Sequence, residues 1–567
     1  MSLQQLILKH VLHNAIKYKG KANPGAIVPK VIGEDPSLKT KIKEIMPEIN
    51  KCVSDVNKMS VEEQTKKLME IAPEMLEEKP KEDKEELKEL DDVDLKKGVV
   101  MRFAPSPSGP MHIGHAITGG MTSLYTRKYN GKFLLRIEDT NSDNIDPTAY
   151  EMLPTDGKWI FGNVTEVWIQ SDRMQVYYDY AVKFFNTGSI YVCTCSQEDF
   201  KKHSDNMEDC PCRKRTIQEN LDLWKKMFDK NALKEGDCVV RFKAGMQNNN
   251  PAMRDFPLIR INDSPHPRQG TKYRVWPLMN FAVTVDDIEY GMTHIIRAKD
   301  HADNAKRQEM MYNVLGIKVP KTYFLGRYNF EGLEISCSKT KAKIKEGVYS
   351  GWDDIRVPFL VALKRRGYQP DSFLKYTRLT GLSPVDKTIP AEEFFKIINS
   401  FNKEIIEPKA YRFFMIRDPV KIDIKNTPHL KIELDLHPDN KKGGRHFSVN
   451  GKFMIEKTDY ARFKDGELLR LMDCVNFSKK GEHFEFVSED YEEFKDKGKI
   501  IIHWLPDDEK QLLPVEILMP DNTTIHAKAE STIKVLKEGD IIQFERFGFC
   551  RLDSIEKGTH KFWFTHK

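Results

Sequence analysis

No apolar run in this chain is long enough to cross a bilayer, and Met1 to Gly20 lacks the charged, apolar and small-residue succession of a secretory leader. A cytoplasmic protein without a membrane partner is expected. Cysteine is scarce: five of the nine, Cys52, Cys238, Cys337, Cys474 and Cys550, lie scattered, which argues against a disulfide framework. A dominant charge is lacking too. The 90 Lys and Arg stand against 85 Asp and Glu, a net +5, so any nucleic-acid contact must be a local patch and not the field of the whole chain. With 40% hydrophobic and 31% charged residues the composition is soluble and globular, and 567 residues exceed one core, so several domains follow.

What is present centres on Val99 to Tyr125. An apolar run is broken by Pro105, Pro107, Gly109 and Pro110, and Ile113, Ile117, Met121, Leu124 and Tyr125 then recur at helical spacing. This predicts a strand, a stiff loop and a helix. His112 and His115 fall three apart in the first helical turn, on one face, where free backbone N–H groups already favour an anion. Two imidazoles there can bind a polyphosphate and stabilise charge in phosphoryl transfer. Gly114 leaves room for a base or ribose against the backbone. A bare His-x-Gly-His also fits an ordinary helix end.

Further along, Gly131 to Thr140 reads as a buried strand ending in Glu138 and Asp139, and Gly291 to His301 as another ending near Arg297. Ligands in open α/β sheets sit at such carboxyl edges, where Arg102 also falls. Cys193, Cys195, Cys210 and Cys212 form two close pairs suited to a tetrahedral structural Zn²⁺; chance reduced thiols are the alternative. Arg213, Lys214 and Arg215 after them suit phosphates or a solvated turn. Pro358 to Met415 turns helical, with Lys364, Arg365 and Arg366 as a phosphate contact or a helix end. Beyond Arg417 the period becomes two, which predicts antiparallel β-barrels. At the other end, Leu6, Ile7, Val11, Leu12, Ala15 and Ile16 predict a helix, Pro24 and Pro29 a loop, and Glu77 to Lys97 a solvated linker.

The string Arg-Phe-Ala-Pro-Ser-Pro-Ser-Gly-x-x-His-Ile-Gly-His (102–115) resembles the ATP-binding signature of class I aminoacyl-tRNA synthetases, in the version carried by the glutamyl and glutaminyl enzymes. Leu-Arg-Ile-Glu-Asp-Thr (135–140), Val-Asp-Asp (285–287), Gly-Met-Thr-His-Ile-Ile-Arg (291–297) and Trp-Asp-Asp-Ile-Arg (352–356) resemble further motifs of that family. The β-rich strings after Arg417 are similar to the anticodon-binding barrels of its glutaminyl and archaeal/eukaryotic glutamyl branches. The likeness spans about Val99 to Leu552.

That resemblance implies a Rossmann-type catalytic core with an acceptor-end insertion, a helical subdomain and C-terminal β-barrels. The expected boundaries are a helical extension at 1–97, core halves at 98–190 and 273–345, an insertion at 191–272, a helical subdomain at 346–415 and barrels at 416–567. It implies ATP-dependent charging of tRNA(Glu) with L-glutamate, with Mg²⁺ accompanying ATP; charging of tRNA(Gln) stays open. ATP would meet Pro105, His112, Gly114, His115, Ser336 and Lys339. Of these His112, His115 and Lys339 would be catalytic, although Cys337 stands where the second signature, K-M-S-K-S, usually has a lysine. Glutamate would meet Arg102, Ser106, Glu138 and Arg297; glutaminyl relatives carry an uncharged residue at the place of Arg297, while Met279 stands where many relatives have Tyr. A glutaminyl enzyme and a non-catalytic tRNA-binding scaffold are the competing readings. The extension would serve a protein partner or touch tRNA.

Overall fold

The computed structural model describes residues 3–17, 20–35, 38, 41–72, 75 and 86–567, in two compact units, Met1–Glu86 and Leu87–Lys567. In the first, helices α1 (Leu3–Lys17), α2 (Pro24–Glu34), α3 (Ile42–Val56) and α4 (Val61–Ile71) surround a core into which the first stripe of apolar residues is buried. The segment expected as a loop around Pro24 and Pro29 is instead helix α2. Asn23 caps it by accepting the Gly25 N–H at 2.9 Å, and Pro24 occupies the first turn, where its missing N–H costs nothing.

The expected solvated linker divides. Residues 77–85 lie outside the described residues, while Leu87 onward belongs to the second unit. Leu90 is buried there, and its N–H donates to the Tyr129 hydroxyl at 2.9 Å. The Asp91 carbonyl accepts from His294 Nε2 at 2.9 Å. Leu90, these backbone bonds and the ion pairs of Glu89 with Lys128 at 2.7 Å and of Asp92 with Lys318 at 2.8 Å anchor a stretch whose charge reads as a solvated linker.

The second unit opens with β1 (Val100–Phe103), α5 (Ile113–Lys128), β2 (Lys132–Ile137), α6 (Ala149–Phe161), β3 (Glu166–Ile169) and α7 (Met174–Asn186). Strands β1, β2 and β3 pair in parallel, as connections through helices require. An antiparallel sheet interrupts this pattern: β4 (Ile190–Cys193), with α8 (Gln197–Asp205) and α9 (Ile217–Lys226) following it, pairs β5 (Val239–Phe242), then β6 (Pro257–Ile261) and β7 (Val275–Pro277). The chain returns through α10 (Met279–Tyr290), β8 (His294–Ala298), α11 (Ala302–Val314) and β9 (Lys321–Leu325). Strand β8 runs parallel to β9 and is tied to β1 by the Thr293 N–H on the Val100 carbonyl at 3.0 Å. The stretch from Met279 to Asp287 is thus a helix ended by Gly291 in the left-handed conformation (φ 73°), and it carries both Asp286 and Asp287 into the interior.

Next come β10 (Tyr328–Glu331), α12 (Cys337–Lys345), α13 (Leu360–Arg365), α14 (Pro370–Thr380), β11 (Lys387–Pro390) and α15 (Ala391–Ile406). Residues 411–566 form two seven-stranded sheets and a separate two-stranded antiparallel ladder over 430–449, and four pairings within the seven-stranded sheets are parallel rather than antiparallel. The cluster at 364–366 is largely spent inside the protein. Arg365 binds Asp353 at 2.6 Å and Asp553 at 2.7 Å, and Arg366 donates to the Thr565 carbonyl at 3.0 Å, so these two guanidiniums join the helical segment to the last sheet instead of facing phosphates. Arg213 is likewise held by Asp255 at 2.9 Å, and Arg215 donates to the Val192 carbonyl at 2.5 Å.

Candidate active site

The loop after β1 is braced on both sides before it enters α5. Met111 donates its N–H to Asp156 at 2.9 Å, and its carbonyl accepts the Leu360 N–H at 2.8 Å. His112 then caps α5, its Nδ1 accepting the Gly114 N–H at 3.1 Å, while His115 Nδ1 accepts the His112 N–H at 3.4 Å. The rings stack with centroids 3.8 Å apart. Because each Nδ1 is an acceptor, each neutral ring carries its proton on Nε2, and both Nε2–H groups are left as donors. Burial holds His115 down to about 4 and, with His115 beside it, His112 well below the usual imidazole range. The pair therefore offers neutral donors at physiological pH. A Cβ on Gly114 would lie 3.0 Å from the His112 ring, so glycine here also makes room for the cap.

Beside this pair lies a cavity of about 300 Å³ lined by Arg102, Pro105, Ser106, His115, Glu138 and Arg297, together with Met279 and His301. Its charges are unequal. Asp287 Oδ1 takes Arg136 Nη1 at 2.5 Å and Arg102 Nε at 3.3 Å, and Glu138 takes Arg136 Nη2 at 3.1 Å. Although burial works to raise it, Arg136 and Arg102 keep the Asp287 carboxyl below its ordinary value. Asp286 pairs with Arg173 at 2.8 Å and also stands 3.8 Å from Arg136 Nε, so it belongs to the same network. Arg297, 8% exposed, makes no ion pair among the described residues. Burial first, then the Arg102 cation, lower it to about 10 against the opposing pull of Asp287 and Glu138. Four guanidiniums, of Arg102, Arg136, Arg173 and Arg297, thus face the three carboxylates of Glu138, Asp286 and Asp287, leaving one surplus positive charge for a ligand to neutralise. A second cavity, of about 510 Å³, shares Ser106, Glu138 and Met279 and continues past Thr140 to Arg260 and Arg307.

The loop expected from Leu333 to Lys341 becomes helical at Cys337, with Ser336 capping it through the Lys339 N–H at 3.5 Å. Lys339 stands outside the cavity lining, its side chain 71% exposed and 3.5 Å from Glu334, whereas Lys341 is tied to Asp146 at 3.1 Å. Elsewhere Cys193, Cys195, Cys210 and Cys212 do gather, with all four sulfurs within 4.8 Å of one another. The pairs Cys193–Cys210 and Cys195–Cys212 are 3.9 and 3.7 Å apart. A tetrahedral Zn²⁺ with bonds of about 2.3 Å sets its sulfurs ~3.8 Å apart, so the four thiols fit one. They sit at the end of β4 and the turn Pro211–Lys214, within the antiparallel sheet region and away from the cavity lining.

Sequence reasoning missed Arg136 as a site residue. The signal available was a charge flanked by Leu135 and Ile137 inside a buried strand, which only a buried acid could answer.

The family "tRNA synthetases class I (E and Q), catalytic domain" matches residues 98–408, and that family's anti-codon binding domains match 410–493 and 501–553. The chain is similar to a glutamate–tRNA ligase of Methanococcus maripaludis (strain C7), 40% identical over 571 residues and covering all of both chains. Over the whole of both chains it is also 40% identical to the glutamate–tRNA ligase of Methanobrevibacter smithii and 39% identical to that of Methanocaldococcus jannaschii.

Proposed function

The chain belongs to the class I tRNA synthetases for glutamate and glutamine, and from that premise we propose that it activates L-glutamate with ATP and transfers it to tRNA(Glu). The observation that carries the choice of glutamate is the unanswered Arg297. As a zwitterion with a side-chain carboxylate, glutamate brings one net negative charge to a pocket with one surplus positive charge. Glutamine brings none and would leave Arg297 buried without a partner.

In this reading Arg297 and Arg102 receive the carboxylates, Glu138 holds the α-amino group and Ser106 lies between the two cavities. The glutamate α-carboxylate attacks the α-phosphorus of ATP in line and pyrophosphate leaves. The mixed anhydride then passes its acyl group to the terminal ribose hydroxyl of tRNA and AMP leaves; the tRNA end enters by the larger cavity along Arg260 and Arg307. His112 and His115 donate to the phosphates as negative charge shifts onto them. Pro105 and Gly114 shape the nucleotide's bed, Mg²⁺ arrives with ATP, and Lys339, exposed in the first turn of a capped helix, exchanges Glu334 for the leaving group. In the same reading residues 191–272 meet the acceptor end of tRNA and 416–567 its anticodon, while the first break in the chain falls at Glu86/Leu87, ahead of the expected 97/98. A cytoplasmic enzyme follows.

The test is ATP–pyrophosphate exchange with tRNA present, comparing glutamate with glutamine. Exchange with glutamate is expected, and robust exchange with glutamine alone would make the chain a glutaminyl enzyme. Protein that binds tRNA yet never exchanges pyrophosphate would be a scaffold. Labelled glutamate with both isoacceptor sets decides whether tRNA(Gln) is charged as well.

We also propose a structural Zn²⁺ on the four thiols. Metal analysis should find one zinc per chain, and Cys210→Ser should release it and lower the thermal midpoint of unfolding, because a ligand of the native state stabilises by mass action. Purified protein free of zinc yet equally stable would end this assignment.

A further inference from the structure

Asp156 is a buried carboxyl group to which the reaction scheme gives no part. It lies in the middle of α6, 5% exposed, and its Oδ2 accepts the Met111 N–H at 2.9 Å. The Met111 carbonyl is held in turn by the Leu360 N–H, so Met111 is clamped on both sides immediately before His112. Packing alone does not call for an acid here. The next residue, Gly157, is pressed so close that a Cβ would come within 2.8 Å of Leu135, in surroundings that favour an apolar side chain. What the carboxyl group supplies, and an apolar side chain would not, is an acceptor for a backbone donor that has no other partner, at the cost of taking an acid out of water.

We propose that Asp156 is a positioning residue for adenylate formation: ionised, it fixes the Met111 peptide and thereby the direction of the His112 ring, and protonation loosens that hold. The inference rests on the reading that the histidine pair meets ATP. Burial pushes the Asp156 carboxyl up to about 7, against the Met111 N–H and the ammonium of Lys364. Lys364, on α13, is the charged group acting on it, and it stands 5.7 Å above the ring of Trp159 one turn along α6. From the other elements packed on α6, β2 presents Leu135 beside Gly157 and α14 presents Phe373 beside Trp159, both uncharged. From α5, Ser123 and the Arg127 guanidinium donate to the Phe161 carbonyl at the far end of α6, and neither is among the groups acting on Asp156.

The experiment is tRNA-dependent ATP–pyrophosphate exchange across pH 5.5 to 8.5 for the wild type, Asp156→Asn and Asp156→Leu. The wild-type turnover should rise through an inflection near 7. Asp156→Asn, isosteric and still an acceptor, should lose that inflection and turn over about fivefold more slowly above it, since a neutral acceptor holds an N–H more weakly. Asp156→Leu should lose ~10²-fold in turnover with tRNA affinity kept, the size expected from a small displacement of reacting groups. Chemical shifts of ring-labelled His112 should follow the same inflection in the wild type and lose it in Asp156→Asn, which a merely structural role would not produce. If Asp156→Asn overlays the wild type in turnover, pH profile and His112 shifts, the inference is overturned and the assigned reaction survives. If Asp156→Leu does not fold, that comparison alone decides. If the wild type never exchanges pyrophosphate, or if His115→Ala exchanges within fivefold of the wild type, the reading beneath the inference falls instead.

Discussion

His115→Ala is expected to slow tRNA-dependent ATP–pyrophosphate exchange by about 10²- to 10³-fold, the usual loss for a preorganised donor aimed at developing charge, while tRNA affinity stays within about twofold of the wild type because that ring lines the small cavity. The effect is large because one substitution removes two things. The Nε2–H donor is lost, and so is the acceptor of the His112 N–H, together with the stacked ring that steadies its neighbour. Exchange within fivefold of the wild type would remove the pair from the chemistry. The same rings carry a stability signature. Unfolded histidines protonate near 6.5, whereas the folded His115 holds off until about 4. Between those values the unfolded chain binds more protons, so stability present above pH 6.5 is lost as pH falls towards 4. Thermal unfolding of His115→Ala should show a shallower decline across that window than the wild type.

Arg297→Gln is expected to raise KM for glutamate by at least ~30-fold, since removing one member of a desolvated charge pair costs about 2 kcal/mol or more. Glutamine should be affected much less, because it carries no side-chain charge for the guanidinium to meet. The comparison of kcat/KM for the two amino acids in wild type and variant reads out the selectivity directly. An equal loss for both would mean that Arg297 shapes the pocket without choosing between them, and the charge argument would fail. The variant should fold well, as it relieves a buried cation with no protein counter-ion among the described residues.

How far the sequence reached follows from the kind of interaction at each place. His112 and His115 were legible because they lie in one turn of one helix, where spacing alone puts them on a face. Arg102, Glu138 and Arg297 were legible as a group because a parallel sheet delivers the ends of its strands to one edge. Arg136 and Asp287 were not, since their contact joins positions 151 residues apart and no local pattern records it. The same applies to Arg365, whose partner Asp553 is 188 residues away, and to the burial of Leu90 in a stretch that reads as charge. Helix α2 differs from the expected loop for another reason: Asn23 caps it and places Pro24 in the first turn, while Pro29 is carried inside the helix, whose Ile27 and Val31 are buried in the core. In the β-rich region the alternation of side chains gave strands without their directions, because period two is shared by parallel and antiparallel pairing.

Arg366 closes the far end of α13 by gripping carbonyls of Phe564 and Thr565, nearly two hundred residues downstream. The opening residue of that helix is the one that steadies Met111. On the ribosome, then, the nucleotide-binding half emerges first, and the Arg366 guanidinium gains these acceptors only once residues 564 and 565 follow, so a chain stalled before them keeps the helix's own cap but leaves that cation without its late partners.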